Sequence, residues 1–316
     1  MSSVIVYSDT ETYRARIRLA DHVATIPNFS WSDTPIEASV NQIGLDKLMF
    51  SSSAQFYSGN INSLRAILED PARGATTVVV IDLRREGHGN VFSKSEGRWA
   101  DGQPYNSSEN SYSVAFKLNN FIASAEIPTH YSTNQQLTSD QIEAKERLLG
   151  QSLLKQHFYD TDKTDKSKIE LELTATEFLT ERELVEGLGP QFAYERIAAS
   201  DEMFPEDEAI EKLIGLIKNR KEGDWWHIHC AGGQGRSTTF KVLVDIIYNN
   251  NNVSFDEVLY RQHLIGGSNL KDIAKDPFGH KERRLQLLEQ FYHYCQQEGP
   301  DFKTRWSERS DSIQST

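Results

Sequence analysis

The sequence contains little that would cross-link the chain or hold it in a membrane. Only two of its 316 residues are cysteines, Cys230 and Cys295, so a disulfide framework is not expected and a thiol-tolerant compartment is the simpler setting. Residues 1–23 carry charges every few positions and lack the apolar run of a signal peptide or a membrane helix. We therefore expect a soluble protein without an integral membrane segment, located in the cytoplasm or exported by a signal that the sequence does not reveal.

An excess of basic residues is also missing. The chain has 34 lysines and arginines against 46 aspartates and glutamates, which gives a net charge of −12 at pH 7. Nucleic acids and anionic membrane surfaces attract proteins that carry a basic field, so nucleic acid is not an expected partner. A polyanionic ligand would have to bind at a locally basic patch.

Internal repeats and long low-complexity segments are absent too, so one folded unit over residues 1–316 is the default expectation. The polar stretch 87–112, rich in Gly, Ser and Asn, predicts a long surface loop. The polar end of the chain, residues 301–316, predicts a flexible tail. The sequence does not indicate an oligomeric state.

Strand and helix patterns alternate between these polar segments. Thr138 with Gln141, and Thr180 with Glu183, match the capping box that opens a helix. Strands are predicted over 76–83, 168–173, 193–198 and 224–229, and helices over 61–69, 138–154, 207–220, 254–264 and 280–297 and directly after Arg236. This alternation is typical of an α/β fold with a mostly parallel, buried central sheet flanked by helices.

One segment joins a predicted strand to a predicted helix through a glycine-rich loop. It reads His229-Cys230-Ala231-Gly232-Gly233-Gln234-Gly235-Arg236-Ser237. The three glycines let consecutive backbone N–H groups turn inward around an anion, and the helix N-terminus and the Arg236 guanidinium add positive charge. The same field stabilises a thiolate at Cys230. We predict that residues 230–236, the cysteine loop, hold both a phosphate and the nucleophile that attacks it.

Two neighbours of the loop have alternative interpretations. Ser237 is a candidate to donate its hydroxyl to the sulfur as the sulfur leaves a phosphocysteine, although a serine is also common at a helix start. His229 is either an ion-pair partner of the thiolate or a strand-end histidine fixed by backbone hydrogen bonds. We expect a supporting role for His229.

The leaving alcohol needs a general acid, for which Asp201 is the candidate. It lies in a loop between a predicted strand and a predicted helix, where a segment could close over bound substrate. A helix N-cap is the alternative reading of this aspartate. No metal and no cofactor are required, because Arg236 and the backbone dipoles supply the charge, and His227 and His229 lack two further clustered ligands.

At these residues the chain resembles the protein tyrosine phosphatase superfamily and, within it, the bacterial PTP-like phytases. The narrower resemblance rests on ordered segments at 80–89, 194–201 with Pro205, 229–237, 260–267 and 289–292. It implies a phosphatase-type α/β core with a small partial β-barrel, which we place over 31–55 and part of 105–180. It also implies stepwise hydrolysis of inositol hexakisphosphate and related inositol polyphosphates.

A basic stretch supports a substrate with several phosphates. Residues 261–284 contain six lysines and arginines against three acidic residues, inside a chain of net charge −12. A solvated charged surface is the alternative for any one of them. The residues expected to contact substrate are Ala231, Gly232, Gly233, Gln234, Gly235, Arg84, Arg85, Arg196, Glu202, Lys271, Lys275 and Lys281.

The sequence departs from the family pattern next to the general acid. Relatives often place histidine after that aspartate, whereas this chain has Glu202, whose carboxylate would repel a substrate phosphate. Family loops also commonly carry Glu-Ala and Thr where this chain has Ala231, Gly232 and Ser237.

Two alternatives to an inositol polyphosphate phosphatase stay open. One is a phosphatase for phosphotyrosine proteins or phosphoinositides, and the other is an inactive module that only captures phosphorylated partners.

Overall fold

A computed structural model of the chain describes two long stretches, 171–201 and 203–274, and several shorter ones. The others are residues 6–7, 18–19, 26, 28–56, 60–93, 97–98, 104–105, 111–116, 138–153, 157–160, 276 and 278–309. Glu202 and Lys275, both expected to contact substrate, lie outside the described residues.

Strands and helices alternate along the described chain. The strands are β1 Val6–Tyr7, β2 Arg18–Leu19, β3 Ser30–Trp31, β4 Phe50–Ser53, β5 Thr77–Arg84, β6 Gly87–Ser93, β7 Gly97–Arg98, β8 Pro104–Tyr105, β9 Ser111–Phe116, β10 His157–Asp160, β11 Leu171–Leu179, β12 Phe192–Ala199 and β13 Asp224–His229. The α-helices are α1 Ala66–Glu69, α2 Ser139–Leu153, α3 Glu181–Glu186, α4 Asp207–Lys218, α5 Gly235–Asn249, α6 Phe255–Leu264 and α7 His280–Glu298.

The central sheet has the order β12-β5-β13-β4-β3. Its first four strands are parallel and only β3 runs antiparallel, which confirms the predicted α/β fold with a mostly parallel sheet. The predicted capping boxes at Thr138 and Thr180 are also present. Parallel strands end at one edge of a sheet, so the carboxyl ends of β5, β12 and β13 lie side by side.

A second sheet contains β9, β10 and β11, which lie in the range 105–180 predicted for the partial barrel, and β1, β2 and β6, which lie outside the predicted ranges. Its order is β1-β9-β6-β11-β10, with β2 paired to β9, and all its pairings are antiparallel. Residues 31–55 do not belong to it, because β4 lies in the central sheet. Only Arg85 and Glu86 separate β5 from β6, so the chain passes directly from one sheet to the other beside the carboxyl ends of the central strands.

The prediction of a loop over 87–112 is wrong for the residues of this stretch that the structure describes, 87–93, 97–98, 104–105 and 111–112, which all lie in strands. Gly87–Ser93 forms a strand because β9 and β11 pair with it on both sides. A side chain at Gly89 would place its Cβ 2.3 Å from Cζ of Phe178, so glycine is required by close packing and not by a turn. Val91 is the only β-branched residue of this strand, so its pairing with β9 and β11 stabilises an extended conformation that its own residues favour little.

The predicted tail is also partly ordered. Trp306 is fully buried, and its ring packs 5.2 Å from that of Phe291 and 5.3 Å from that of Tyr294. Burial of an indole between aromatic rings fixes residues 301–309 against α4 and α7. Residues 310–316 lie outside the described part of the chain.

Successive side chains along a central strand point alternately into two apolar layers, one on each face of the sheet. In β13, Trp226 and Ile228 face the layer formed by α4, α5 and α7, whereas Trp225 faces the layer formed by residues 61–67 and α3. Alternation places His227 and His229 on the same face as Trp225. His229 is in register with Asp82 of β5, so two buried polar side chains meet on that face of the sheet.

Lys241, in the helix that follows the cysteine loop, is buried, and no charged partner for it is found in the part of the chain that the structure describes. Its only hydrogen bond among the described residues is a long one, 3.4 Å, to Oγ of Ser30. Desolvation lowers the pKa of its ammonium to about 8. The unfolded chain keeps that proton up to its ordinary pKa, so at pH 7 the buried charge costs about 3 kcal/mol of stability.

Lys241→Met should raise the free energy of unfolding at pH 7 by about 1–3 kcal/mol, because it removes the buried charge and keeps the volume. The wild-type protein should also gain stability as the pH rises from about 8 toward the ordinary lysine pKa, and the variant should lack this gain. Urea unfolding at several pH values measures both effects. Lys47→Met, at an exposed lysine, is the control, and an equal change in both variants would contradict the assignment.

Candidate active site

The cysteine loop runs from the carboxyl end of β13 to the amino end of α5. Its backbone carbonyls are held from outside: Ala231 O accepts from the Gln55 N–H at 3.0 Å, and Gly232 O accepts from Nδ2 of Asn28 at 2.9 Å. The Gly233 N–H points at Sγ of Cys230, 3.2 Å away. With two carbonyls turned outward, the loop can direct further N–H groups toward the sulfur, which is the arrangement expected of an anion-binding nest.

Gly233 is required by this shape for two independent reasons. Its φ is +70°, in the left-handed region that favours glycine. A Cβ at this position would also lie 2.4 Å from the backbone N of Ala54, at the end of β4. The cysteine loop can therefore pack against β4 only with glycine at this position.

Glu86 binds the Arg236 guanidinium through both of its carboxylate oxygens. Its carboxylate oxygens lie 2.6 and 2.8 Å from Nη1 and Nη2, a bidentate ion pair. Burial raises the pKa of Glu86, but Arg236 and Arg84 outweigh burial and hold that pKa well below its usual range. Arg84 donates to the same carboxylate at 2.9 Å. Glu86, in the link between the sheets, therefore stays ionised and fixes the direction of the arginine.

Asp201 lies at the third donor of the same guanidinium. Its Oδ1 is 3.2 Å from Nε of Arg236, and the carboxyl group is partly exposed. The structure thus brings together three residues that the sequence singled out, Cys230, Arg236 and Asp201. Asp201 therefore stays a candidate for the general acid.

Ser237 follows in the first turn of α5. It is completely buried, and its Oγ has no hydrogen-bond partner among the described residues. A buried hydroxyl without a partner is costly unless another group uses it. The arrangement favours the predicted role of Ser237 as a donor to the sulfur over the reading as a helix-start serine.

His229 lies behind the loop, facing Glu181 of α3. Nε2 of His229 is 2.7 Å from Oε1 of Glu181, a short charge contact whose angle is poor for a hydrogen bond. The other oxygen of Glu181 accepts from Nε2 of Gln55 at 2.6 Å and lies 2.7 Å from Nε2 of His88. Burial raises the pKa of Glu181, but the two histidines outweigh it and hold that pKa well below its usual range.

Asp82, Glu181 and His229 lie close enough together to suggest a metal centre. The donors around Asp82 argue against one. Its Oδ2 accepts from the Tyr194 hydroxyl at 2.7 Å and lies 2.8 Å from Nε of Arg196. Since that oxygen is already occupied by two donors, we describe the group as a buried ion network.

The three arginines expected to bind further phosphates are buried. Arg196 contacts Asp82 and Glu146, and Arg84 contacts Glu86 and Oε1 of Gln55. Arg85 donates to Ala198 O at 2.8 Å and pairs with Glu206 at 3.0 Å. These surroundings favour positioning roles, and contact with substrate stays a prediction for all three.

The basic stretch 261–284, which follows α5, contains both buried and exposed residues. Arg261 is buried and paired with Asp245, whereas Lys271 is exposed and lies 2.6 Å from Asp256. Lys281 donates from Nζ to Ala274 O at 3.2 Å. Arg284 is buried, and its Nη1 lies 3.5 Å from the place of a Cβ on Gly235, so this arginine borders the cysteine loop.

Sequence reasoning missed Glu86, Gln55 and Glu181. Glu86 stands inside a segment that carries the family resemblance, and its place after two arginines at the end of a buried strand was the available signal. Gln55 and Glu181 gave no signal. Glu181 follows the capping residue Thr180, where an acidic residue is expected for helix reasons alone.

Glu86→Gln should lower kcat/KM on a phosphate ester by about 10- to 100-fold, because the guanidinium loses the ionised group that orients it. The thermal unfolding midpoint measured alongside separates misorientation from misfolding. Glu195→Gln, at a half-exposed residue of β12 paired with Lys212, is the control. An unchanged or raised kcat/KM would mean that Glu86 blocks Arg236 and does not position it.

Known bacterial proteins are similar to parts of this chain. The chain is 29% identical over 136 residues to the effector protein hopD2 of Pseudomonas syringae pv. tomato, which covers 41% of this chain and 28% of that protein. It is 34% identical over 90 residues to the uncharacterized protein AvrBs1.1 of Xanthomonas euvesicatoria, which covers 27% of this chain and 86% of that protein. The chain thus spans little more than a quarter of the first of these relatives.

Solved structures share the fold. A PTP-like myo-inositol phosphatase from Mitsuokella multacida, in complex with myo-inositol-(1,3,4,5)-tetrakisphosphate, matches with a TM-score of 0.71 at 24% identity, over 96% of this chain and 48% of that one. A PTP-like phytase from Bdellovibrio bacteriovorus matches with a TM-score of 0.65 at 20% identity, over 97% and 94%.

Among the described residues no helix is both long and apolar enough to cross a membrane. The model of the PTP-like phytase family, whose description names inositol hexakisphosphate, matches residues 81–248. This range is slightly more than half of the chain. That range includes Glu86, Asp201 and the whole cysteine loop. The chain therefore belongs to the PTP-like phytase family of phosphatases.

Proposed function

We propose that the chain is a cysteine-dependent inositol polyphosphate phosphatase that removes phosphates one at a time through a phosphocysteine intermediate. The observation that carries the proposal is the set of three groups at one point. Cys230 Sγ lies at the base of a nest of N–H groups, Arg236 is aimed by Glu86, and Asp201 lies against that arginine.

In the first step the Cys230 thiolate attacks phosphorus, and the bond between phosphorus and the bridging oxygen of the inositol ester breaks. The N–H groups of the loop and the Arg236 guanidinium hold the three non-bridging oxygens, whose charge grows as the bond breaks. The Asp201 carboxylic acid gives its proton to the leaving alkoxide, so the product leaves as a neutral alcohol.

In the second step a water molecule attacks phosphorus and the P–S bond breaks. The Asp201 carboxylate formed in the first step takes a proton from that water. The sulfur leaves as a thiolate, and the free hydroxyl of Ser237 can donate a hydrogen bond to it. Phosphate departs, and the enzyme returns with Asp201 protonated and Cys230 ionised.

Basic residues beside the loop support a substrate with several phosphates. Arg284 borders Gly235, and the exposed Arg283 precedes it at the start of α7. Lys271 and Lys281 lie in the same region, where the charge of the chain is locally positive. A ligand with phosphates around a ring can contact these groups while one phosphate occupies the nest. Contacts through Lys275 and Glu202 remain predictions.

The relatives add support of two kinds. The Mitsuokella structure contains an inositol tetrakisphosphate, which fits the substrate class proposed here. The relative from Pseudomonas syringae is named an effector, which fits delivery into a host among the locations open to an exported protein.

Purified protein should hydrolyse inositol hexakisphosphate faster than a phosphotyrosine peptide or a short-chain phosphoinositide, as measured by kcat/KM from phosphate release. Cys230→Ser is the matched control and should abolish turnover. Substrate binding that persists in this variant, with turnover in the wild type, excludes an inactive capture module. Absence of wild-type activity on inositol hexakisphosphate, with activity on either rival, would overturn the substrate assignment.

Asp201→Asn should affect substrates according to their leaving groups. For inositol phosphates, whose alkoxide needs a proton, kcat should fall by about 100-fold or more, whereas an aryl phosphate should lose about 10-fold or less. Single-turnover rates on both substrates measure the difference. Equal losses on the two would show that Asp201 is not the proton donor.

A further inference from the structure

The segment that carries Asp201 is closed by a side chain from its own far end. This segment, the acid loop, comprises residues 200–206 between β12 and α4, and its residue 202 lies outside the described part of the chain. The last residue of the loop, Glu206, binds the first. Its Oε1 accepts from Oγ of Ser200 at 2.5 Å, and its Oε2 accepts from the Ser200 N–H at 3.4 Å. The two ends of the acid loop are therefore hydrogen-bonded to each other.

Glu206 occupies the N-cap position of α4 but does not cap that helix. Its backbone is extended, with φ −63° and ψ 155°, and among the described residues its side chain accepts from no N–H group of α4. Serine, threonine, aspartate and asparagine cap helices well, because their short side chains reach those N–H groups. The longer side chain of Glu206 binds Ser200 instead, so capping does not account for a glutamate at this position.

Arg85 binds the same carboxylate from the link between the two sheets. Its Nη2 lies 3.0 Å from Oε2 of Glu206 and donates to Ala198 O at 2.8 Å. The arginine is only 3% exposed, and Glu206 is the one carboxylate that pairs with it among the described residues. Because a guanidinium keeps its charge when it is buried, the pairing with Glu206 is costly to break. Glu206 is therefore fixed to the central sheet as well as to the acid loop.

Two arginines also hold the backbone where the acid loop begins. Arg85 binds Ala198 O, and Nη1 of Arg236 donates to Ala199 O at 3.3 Å. With the bonds from Glu206 to Ser200, three successive residues directly before the general acid are held by charged side chains. The backbone position of the acid is thus set by ion pairs and hydrogen bonds around these three residues.

We propose that Glu206 and Arg85 are positioning residues for the general acid: the pair fixes the first residues of the acid loop, so that Asp201 lies against Arg236 before substrate binds. Arg85 is adjacent to Glu86, which orients Arg236. The link between the sheets then places both the arginine that holds phosphate and the acid that protonates the leaving oxygen. This inference rests on the proposed function in naming Asp201 as the general acid.

Glu206→Ser tests the pair, because serine is too short to bind Ser200 and Arg85 but caps a helix well. Hydrogen exchange of peptides from the acid loop should become about tenfold faster or more, since its ends are no longer bound to each other. The single-turnover rate of leaving-group release from inositol hexakisphosphate should fall about tenfold, because a proton donor acts only within hydrogen-bond reach. An aryl phosphate, whose leaving group needs no proton, should lose less than about threefold.

Glu208→Ser is the matched control. It removes an exposed carboxylate from the first turn of the same helix, and it should leave exchange of the acid loop and both rates unchanged. Unchanged exchange in Glu206→Ser, or equal losses on the two esters, would overturn the proposal.

A double-mutant cycle separates action through Asp201 from a general loss of structure. In an Asp201→Asn background, Glu206→Ser should cause no further loss on inositol hexakisphosphate, because no acid is left to position. A further loss there would overturn the proposal. Equal losses on the two esters in Asp201→Asn itself would overturn the general acid of the proposed function, whereas equal losses in Glu206→Ser alone would overturn only the role of the pair.

Ser200→Ala covers the case in which Glu206→Ser does not fold. This variant keeps the ion pair between Glu206 and Arg85 and removes only the hydroxyl that Glu206 accepts from. Exchange of the acid loop should become faster, and the single-turnover rate on inositol hexakisphosphate should fall about threefold. No change in either quantity would overturn the proposal.

Discussion

Charge compensation between the two sheets is the constraint on which the site depends. Four arginine side chains are buried there, and a guanidinium cannot shed its charge to relieve the cost of burial. Each is paired with a carboxylate: Arg196 with Asp82 and Glu146, Arg84 and Arg236 with Glu86, and Arg85 with Glu206. The pairing decides which arginine can meet a phosphate. Of these buried arginines between the sheets, Arg236 is the one that belongs to the cysteine loop, where it also contacts the partly exposed Asp201.

The second sheet follows from the same constraint. β6 begins directly after Glu86, and β11 ends directly before the helix that carries Glu181. α2 packs on this sheet and supplies Glu146. The antiparallel sheet and the segments next to it therefore bring Glu86, Glu146 and Glu181 to the buried arginines and histidines, in addition to Asp82 of the parallel sheet. The candidate active site forms where the two sheets meet. Opposite charges brought from different segments also restrict how the segments can pack, since a shifted register would leave a buried charge alone.

Local sequence was sufficient for the catalytic loop and insufficient for its surroundings. The bounds of β13 follow from an aromatic run that ends at a polar loop, and the role of Gly233 follows from a glycine-rich segment between strand and helix. β6 could not be predicted, because Gly87, Gly89 and Asn90 are poor strand formers held by pairing on both sides. Arg84 and Arg196 show the same limit: the sequence gives a positive charge, and only packing shows that a carboxylate already holds it.

The residues proposed for catalysis and the residues proposed for substrate choice are held in physically different ways in this chain. The groups proposed to act on phosphorus are fixed by backbone hydrogen bonds and by buried ion pairs, so we expect their geometry to vary little with the ligand. The groups suited to a second or third phosphate lie on the stretch 269–284, where Lys271 and Arg283 are exposed. Exposed charges are screened by salt and contribute little each, so selectivity for a polyphosphate must come from several of them acting together. Arg284, buried beside Gly235, is the exception: with less screening and a fixed place at the loop, it is the basic residue outside the loop with the largest expected share in substrate choice.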